Sequence, residues 1–580
     1  MTDERRRRLA LAIMMVGAAL RTWQYGRRGA LWIDEAAVAR NVLARLPSQL
    51  LQPLDYAQLA PKGFLLATKG AVTLFVASEH ALRAYAFGLS LLALPLFYRL
   101  AREFLPERAA LVALGFFAVL GRAIFYASEA KQYDGDLFCA VLLLLLALPV
   151  LRGASGLRSS VRLGVAAAVT VWFSAPAIFV LAGIALALVL GDDRWPVANR
   201  PSAAPSRTTN AAHSASTARR RRSLLTVMLV CAASVIPAVV AAVHSLHPFD
   251  DAYMRSFWQE GFPPWPPRMS AAFIGDAVAW PFAVVYGLFF DLLGMPVAAF
   301  GVLLATLGAV AIWRRERGEL FLLLGPVCAA LAAGALRLYP FGVTLDGFNK
   351  MSAGNARVLL FLLPSMILLV VAGLDALLRA PRRVEHTIGS ALTALTLGAP
   401  LYYDLVSIPY TPHDLDPLIA VVSRDARPGD RLYVYYGARQ AFELYRGRFP
   451  FADSSVVRGD CHRPAWREYL RELDALRGRG RVWALMVRPA QVNGVREGEL
   501  IDSYLGQIAP RLARWGQKDA YLSLYDMRVT RPMRGDPSTW HPAPRGFAID
   551  TVALGFSCAG VFAQPSTDST LTGRVNPRLR

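Results

Sequence analysis

Two adjacent acidic residues, Asp34 and Glu35, follow the first apolar run of the chain within the segment Leu31–Ala36. A carboxylate held near a reacting hydroxyl can accept its proton as a general base. Adjacent residues point to different sides of a helix, so both carboxylates are not expected to serve one atom. The pair therefore indicates either one base with a neighbour that positions it, or the acidic first turn of a helix, where negative charge is favourable.

A second group of reactive side chains lies in the segment Tyr126–Asp136, between two apolar runs. A merely solvated turn does not need phenol and ammonium groups among its acids, so this composition indicates a site. The spacing Asp134-Gly-Asp136 places two carboxylates where they could bind a divalent cation, Mg²⁺ or Mn²⁺. The candidate residues of this segment are Glu129, Lys131, Tyr133, Asp134 and Asp136.

The third group consists of Arg337, Tyr339 and Arg357, which bracket another loop between apolar runs. Guanidinium groups beside a phenol suit a phosphate, because they bind its oxygens through charge-assisted hydrogen bonds. The alternative is that both arginines end apolar helices and extend their charged heads toward water.

The segments that must position these residues are strongly apolar. Of the 580 residues, 55% are hydrophobic and 18% are charged, and the formal net charge is +21. Soluble domains carry about 25% charged residues, and disordered chains are less hydrophobic than this one. The composition therefore predicts a membrane protein with basic loops that lies in a lipid bilayer, and it argues against a nucleic-acid partner.

Apolar runs long enough to cross a bilayer predict about eleven spans. They are 9–22, 83–98, 109–126, 136–151, 163–174, 176–191, 223–243, 295–313, 319–337, 358–379 and 387–405. Two further runs, 61–78 and 271–294, contain charged residues, and we expect them to lie along the interface as amphipathic helices. With that assignment the arginine-rich loops all fall on one side, which predicts a cytoplasmic N-terminus and an extracytoplasmic C-terminus.

The C-terminal third differs in character. Strand-like runs at Arg431–Tyr436, Arg481–Val487 and Tyr521–Val529 alternate with polar helix-like stretches such as Pro464–Arg477. This pattern predicts an extracytoplasmic α/β domain over residues 412–535, after a transmembrane domain over 1–405 and before a poorly ordered tail over 536–580. A disulfide between Cys461 and Cys558 is compatible with that location.

Together these segments resemble the GT-C superfamily of membrane glycosyltransferases, and within it the branch of the protein O-mannosyltransferases and the lipid A aminoarabinose transferases. The resemblance covers residues 8–405. It depends on the order of four segments, which are Asp34-Glu35, His80-Ala-Leu-Arg83, the turn with Glu129, Lys131, Tyr133 and Asp136, and Tyr339-Pro-Phe-Gly342 followed by Arg357. The run Tyr433–Ala438 is similar to the external domain of bacterial members.

The resemblance implies an inverting hexosyl- or pentosyltransferase of a bacterial-type cytoplasmic membrane. Its donor would be a polyprenyl-phosphate sugar, and its acceptor a lipid, a glycan or a protein. It implies Asp34 as the base, with Glu35 as a capping or positioning residue. Stabilisation of the leaving phosphate would come from Lys131, Tyr133, Arg337, Tyr339 and Arg357, while Glu129, Asp134 and Asp136 would orient the sugar or acceptor or bind a metal.

One stretch departs from the family pattern. Between Gly342 and Arg357 lies the additional segment Val343–Ala356, which affects the assignment of Arg357. Two other functions stay open. A transporter or flippase of an anionic or lipid-linked substrate would place ionisable residues within its spans, and a non-catalytic scaffold would only present the α/β domain.

Overall fold

The computed structural model describes most of the chain. The described residues are 2–27, 29–56, 58–152, 157–190, 233–242, 258, 261–264, 270–295, 297–341, 356–381, 383–411, 413–462, 466–489, 491–492, 495–517 and 519–532. The predicted span 223–243 lies mostly outside these ranges, and the tail 536–580 and Cys558 lie wholly outside them.

The molecule is mostly helical, with several apolar helices and a small sheet. The α-helices are α1 Asp3–Arg27, α2 Ile33–Ala44, α3 Lys62–Leu74, α4 Glu79–Phe104, α5 Glu107–Ala118, α6 Gly121–Tyr126, α7 Tyr133–Leu151, α8 Leu157–Phe173, α9 Ala177–Leu190, α10 Ala233–Ala242, α11 Ala271–Tyr286, α12 Ala298–Arg315, α13 Arg317–Ala335, α14 Leu363–Leu378, α15 Arg383–Ser407, α16 Asp416–Asp425, α17 Arg439–Leu444, α18 Trp466–Asp474 and α19 Glu497–Ile508. A π-helical turn, Gly287–Leu292, follows α11, and a 3₁₀ turn, Ala356–Leu362, precedes α14.

Five helical segments of the described chain are long and apolar enough to cross a membrane by length and composition. They are Glu79–Phe104, Tyr133–Leu151, Ala298–Arg315, Arg317–Ala335 and Arg357–Leu378. The count of eleven spans stays a prediction. The predicted span 109–126 is divided into α5 and α6, and the long run 163–191 is divided at Ser174–Pro176, where proline cannot donate the hydrogen bond of a continuing helix.

Glycines let the apolar helices approach one another closely. A Cβ atom on Gly308 of α12 would overlap the carbonyl oxygen of Leu369 in α14, and one on Gly373 would overlap that of Leu304 in α12. These contacts fix α14, and with it the 3₁₀ turn that carries Arg357.

Residues 431–526 form a five-stranded sheet in the order β2-β1-β3-β7-β6. The strands are β1 Arg431–Val434, β2 Val456–Arg458, β3 Arg481–Val487, β6 Arg511–Gln517 and β7 Ala520–Asp526, and a separate hairpin joins β4 Gln491–Val492 to β5 Val495–Arg496. Strand β1 runs parallel to β2 and β3, whereas β7 is antiparallel to β3 and β6. The structure therefore has strands where the sequence predicts them, while the boundaries 412–535 stay a prediction.

The sheet is covered on both faces, and one cover is α2. A continuous apolar core contains Val38 and Val42 of α2 together with Leu432 and Trp483 of the sheet. On the other face, Val482 belongs to a core that α18 and α19 complete. The sheet is thus held against the helix that carries Asp34. Cys461, which follows β2, is disulfide-bonded.

Candidate active site

The acidic pair of the first loop lies in the first turn of α2, which begins after Trp32. The guanidinium of Arg357 donates a hydrogen bond from Nη1 to Oδ2 of Asp34 at 2.9 Å. Arg357 is buried, whereas the Asp34 side chain is 17% exposed. Two residues that are 323 positions apart in sequence therefore form one ion pair.

Two further cations act on the same carboxylate. Burial of Asp34 opposes its ionisation, but Arg357, Lys131 and Arg488 outweigh this effect and lower its pKa below the usual value of 3.8. Lys131 is itself buried, and its ammonium donates to Oε1 of Gln58 at 2.7 Å. Burial lowers the pKa of Lys131, although the charge of Asp34 opposes that shift. The centre is therefore an ionised carboxylate among cations.

Aromatic rings enclose Arg357. Its guanidinium carbon lies 5.9 Å from the ring centroid of Trp32, 5.8 Å from that of Tyr133 and 5.7 Å from that of Trp258. Such contacts attract a cation and keep water from its faces. Nε of Arg357 makes no hydrogen bond to the described residues, so this buried donor stays available to a ligand.

Glu35 has a different environment from Asp34, as expected for adjacent residues of one helix. It is fully buried and accepts from Nε and Nη2 of Arg83 at 2.9 and 2.8 Å. The backbone N–H of Ala130 donates to it at 2.7 Å. Glu35 therefore ties α2 to α4 and to the turn before α7, which is a positioning role.

Within that turn, Glu129 is buried and accepts from Nε1 of Trp32 at 3.0 Å. This bond fixes the indole that faces Arg357. The turn thus contributes Glu129, Lys131 and Tyr133 to the surroundings of Asp34.

Asp134 and Asp136 are buried in the first turn of α7 but face different neighbours. Asp134 lies by Ser90 and Arg21, and Asp136 lies by Ser174. In the part of the chain that the structure describes, no group of three or more His, Cys, Asp or Glu side chains is placed to hold a metal ion. The described residues thus show no set of ligands for the predicted divalent cation, which stays a prediction.

The other two residues of the third group, Arg337 and Tyr339, differ in their relation to the ion pair of Arg357 with Asp34. The hydroxyl of Tyr339 donates to the carbonyl of Val358 at 2.7 Å and so holds the turn next to Arg357. Arg337 instead donates from Nη1 to the carbonyl of Pro263 at 3.1 Å and stacks on Phe262 at 5.1 Å. The additional stretch lies outside the described residues, except for Ala356.

The C-terminal unit, which is residues 413–532 as far as the structure describes them, contributes two further residues that were not predicted. The guanidinium carbon of Arg488, directly after β3, lies 4.9 Å from the ring centroid of Trp32. The ring of His413 lies 5.9 Å from the same indole. Burial, and then the charge of Arg488, lower the pKa of His413 to about 4, so its imidazole is neutral at pH 7. Arg488-Pro489 at the end of a strand-like run is the only signal that the sequence offers.

The chain is similar to several solved structures at low identity. ArnT from Cupriavidus metallidurans bound to undecaprenyl phosphate shows 13% identity over 89% of this chain and 97% of that chain, with a TM-score of 0.48. The archaeal oligosaccharyltransferase AglB from Archaeoglobus fulgidus, in complex with an inhibitory peptide and a dolichol-phosphate, shows 12% identity over 89% of this chain and 74% of that chain, with a TM-score of 0.46.

The Archaeoglobus fulgidus oligosaccharyltransferase in complex with Zn and sulfate shows 13% identity over 82% of this chain and 68% of that chain, with a TM-score of 0.45. No protein-family model matches the sequence, and no curated protein matches it.

Proposed function

We propose that the chain is a glycosyltransferase that moves a sugar from a polyprenyl-phosphate donor to an acceptor hydroxyl at the outer face of the membrane, with Asp34 as the base. The observation that supports this proposal is the ion pair between Asp34 and Arg357, which brings a candidate base and a candidate phosphate ligand into contact. Lys131 lies close enough to act on the same carboxylate.

The ion pair suggests how donor binding prepares the base. A phosphate oxygen competes with Asp34 for the donors of Arg357, because guanidinium groups bind phosphate and carboxylate in the same geometry. Without donor, the surrounding cations lower the pKa of Asp34, which makes it a weak base. A bound phosphate neutralises those cations, so the pKa of Asp34 rises when the donor is in place.

The transfer step then uses the groups already described. The acceptor oxygen forms a bond to the anomeric carbon as its proton passes to Asp34, and the bond from that carbon to the phosphate oxygen breaks. The phosphate keeps the electron pair and stays bound to Arg357 and Lys131. Attack from the face opposite the phosphate inverts the anomeric configuration.

The test uses membranes that contain the chain and a panel of radiolabelled polyprenyl-phosphate sugars. We expect the wild type to form a labelled glycosidic product and to release polyprenyl phosphate, and Asp34→Asn to lose both activities. Asp375→Asn is the matched control, because Asp375 also pairs with an arginine, Arg379, but is not part of the site. Label that crosses the vesicle membrane without a new glycosidic bond would favour a transporter and contradict the proposal.

A further inference from the structure

The sheet of the C-terminal unit presents the edge at which ligands of α/β folds bind. The chain leaves β1 to form β2 on one side and then crosses to form β3 on the other side, so the carboxyl ends of β1 and β3 meet at a switch point. Crevices at such points are the usual ligand sites of parallel sheets. Arg488 is the first residue after β3, and it therefore lies at this edge.

The backbone holds Arg488 in an unusual conformation. Its φ of 47° lies in the left-handed region, and its N–H donates to the carbonyl of Asp519 at 2.7 Å. A non-glycine residue in this region is strained and persists only where the surroundings impose it. The conformation directs the side chain away from its own sheet and onto Trp32, two residues before Asp34.

Arg488 adds a third positive charge to those that act on Asp34. Arg357 and Lys131 are the other two, so all three favour a negative charge at this position. The buried pair of Glu35 with Arg83 is neutral.

A phosphodiester donor carries one negative charge, and after transfer the lipid phosphate becomes a monoester with a charge of about −2. A third cation at the site therefore favours the donor, and it favours the leaving phosphate more strongly because negative charge develops there during transfer.

We propose that Arg488 is a phosphate-binding residue which the C-terminal unit contributes to the donor site. This inference rests on the proposed function, since the phosphate is that of the donor. It gives the C-terminal unit a direct part in donor binding, in addition to bracing α2.

The experiment measures the Kd of undecaprenyl phosphate for the full chain in nanodiscs of neutral lipid, with undecaprenol and undecaprenyl diphosphate as comparison ligands. Arg488 is exposed, so we expect Arg488→Gln to weaken binding of the monophosphate by about fivefold. Arg488→Lys should stay within about twofold, because an ammonium keeps the charge and binds phosphate as a point charge. Arg528→Gln is the matched control, since Arg528 is an exposed arginine of the same unit that pairs with Asp526.

The outcomes separate this inference from the proposed function. If the wild type binds undecaprenol as tightly as the phosphate, there is no phosphate site and the proposed function fails. If the wild type prefers the phosphate and Arg357→Gln abolishes that preference, but Arg488→Gln binds like Arg528→Gln, only the role of Arg488 is wrong. Arg488→Gln should also weaken binding of the diphosphate, and a variant that weakens the two phosphates no more than it weakens undecaprenol would overturn the inference. If Arg488→Gln unfolds, the lysine variant decides, because its Kd supports the inference only when it stays near that of the wild type.

Discussion

Replacing Glu35 by glutamine should damage the fold rather than the chemistry. Glu35 is fully buried and accepts two hydrogen bonds from Arg83, which is also fully buried, and one from the N–H of Ala130. Removing its charge leaves the guanidinium of Arg83 without its counter-ion in a medium of low dielectric constant. Breaking a buried pair by removing one partner costs about 3–5 kcal/mol. Glutamine keeps an acceptor oxygen, so we expect the lower end, about 3 kcal/mol.

The assay is thermal unfolding of the purified chain in detergent. A loss of about 3 kcal/mol lowers the midpoint by about 2–3 °C, because an unfolding entropy of about 2 cal/mol/K per residue amounts to about 1.2 kcal/mol/K over 580 residues. Asp34→Asn is the matched comparison, because Asp34 is the adjacent acid but is partly exposed, and asparagine can still accept from Arg357. We expect its midpoint to move much less. If Glu35→Gln melts like the wild type, or if both variants melt equally early, the assignment of the two acids to separate roles is wrong.

Three other predictions concern pH, positioning and packing. His413 has a pKa of about 4 instead of 6.5, so the unfolded chain binds its proton more tightly. The ionisation of His413 therefore does not reduce the free energy of unfolding above pH 6.5, but it does so increasingly as the pH drops toward 4. In unfolding scans across this pH range, His413→Gln should lose less stability than the wild type. Tyr339→Phe removes the hydrogen bond that holds the turn of Arg357, which should cost about 1 kcal/mol and raise the donor KM more than it lowers kcat; an unchanged KM would exclude this positioning role. Gly308→Ala should abolish folded expression, because its Cβ would overlap a carbonyl of α14, whereas Gly398→Ala has open space and should express normally.

Part of the site could be predicted from the sequence because its residues lie at the ends of apolar runs. Asp34, Lys131 and Arg357 were each candidates for that reason, and the structure brings them together. Arg337 met the same criterion, yet it donates to Pro263. Helix packing decides which helix ends face Asp34, and the hydropathy pattern does not contain that information.

The contribution of the C-terminal unit could not be predicted for a different reason. Arg488 and His413 reach Trp32 because the sheet packs on α2. A sequence predicts strands from their alternation, but it does not say which sheet face meets which helix. The number of helices was hard to predict for a related reason, since one continuous apolar run folds as the two helices α5 and α6.

The most direct test of the account is a single-turnover measurement on Asp34→Asn with a polyprenyl-phosphate sugar that the wild type accepts. The account predicts that the sugar-transfer rate falls by about 10²–10⁴-fold, the usual contribution of a general base. It also predicts that the variant binds the donor at least as tightly as the wild type, because no carboxylate competes with the phosphate for Arg357. A transfer rate within tenfold of the wild type, or a donor that no longer binds to a folded variant, would contradict the central claim.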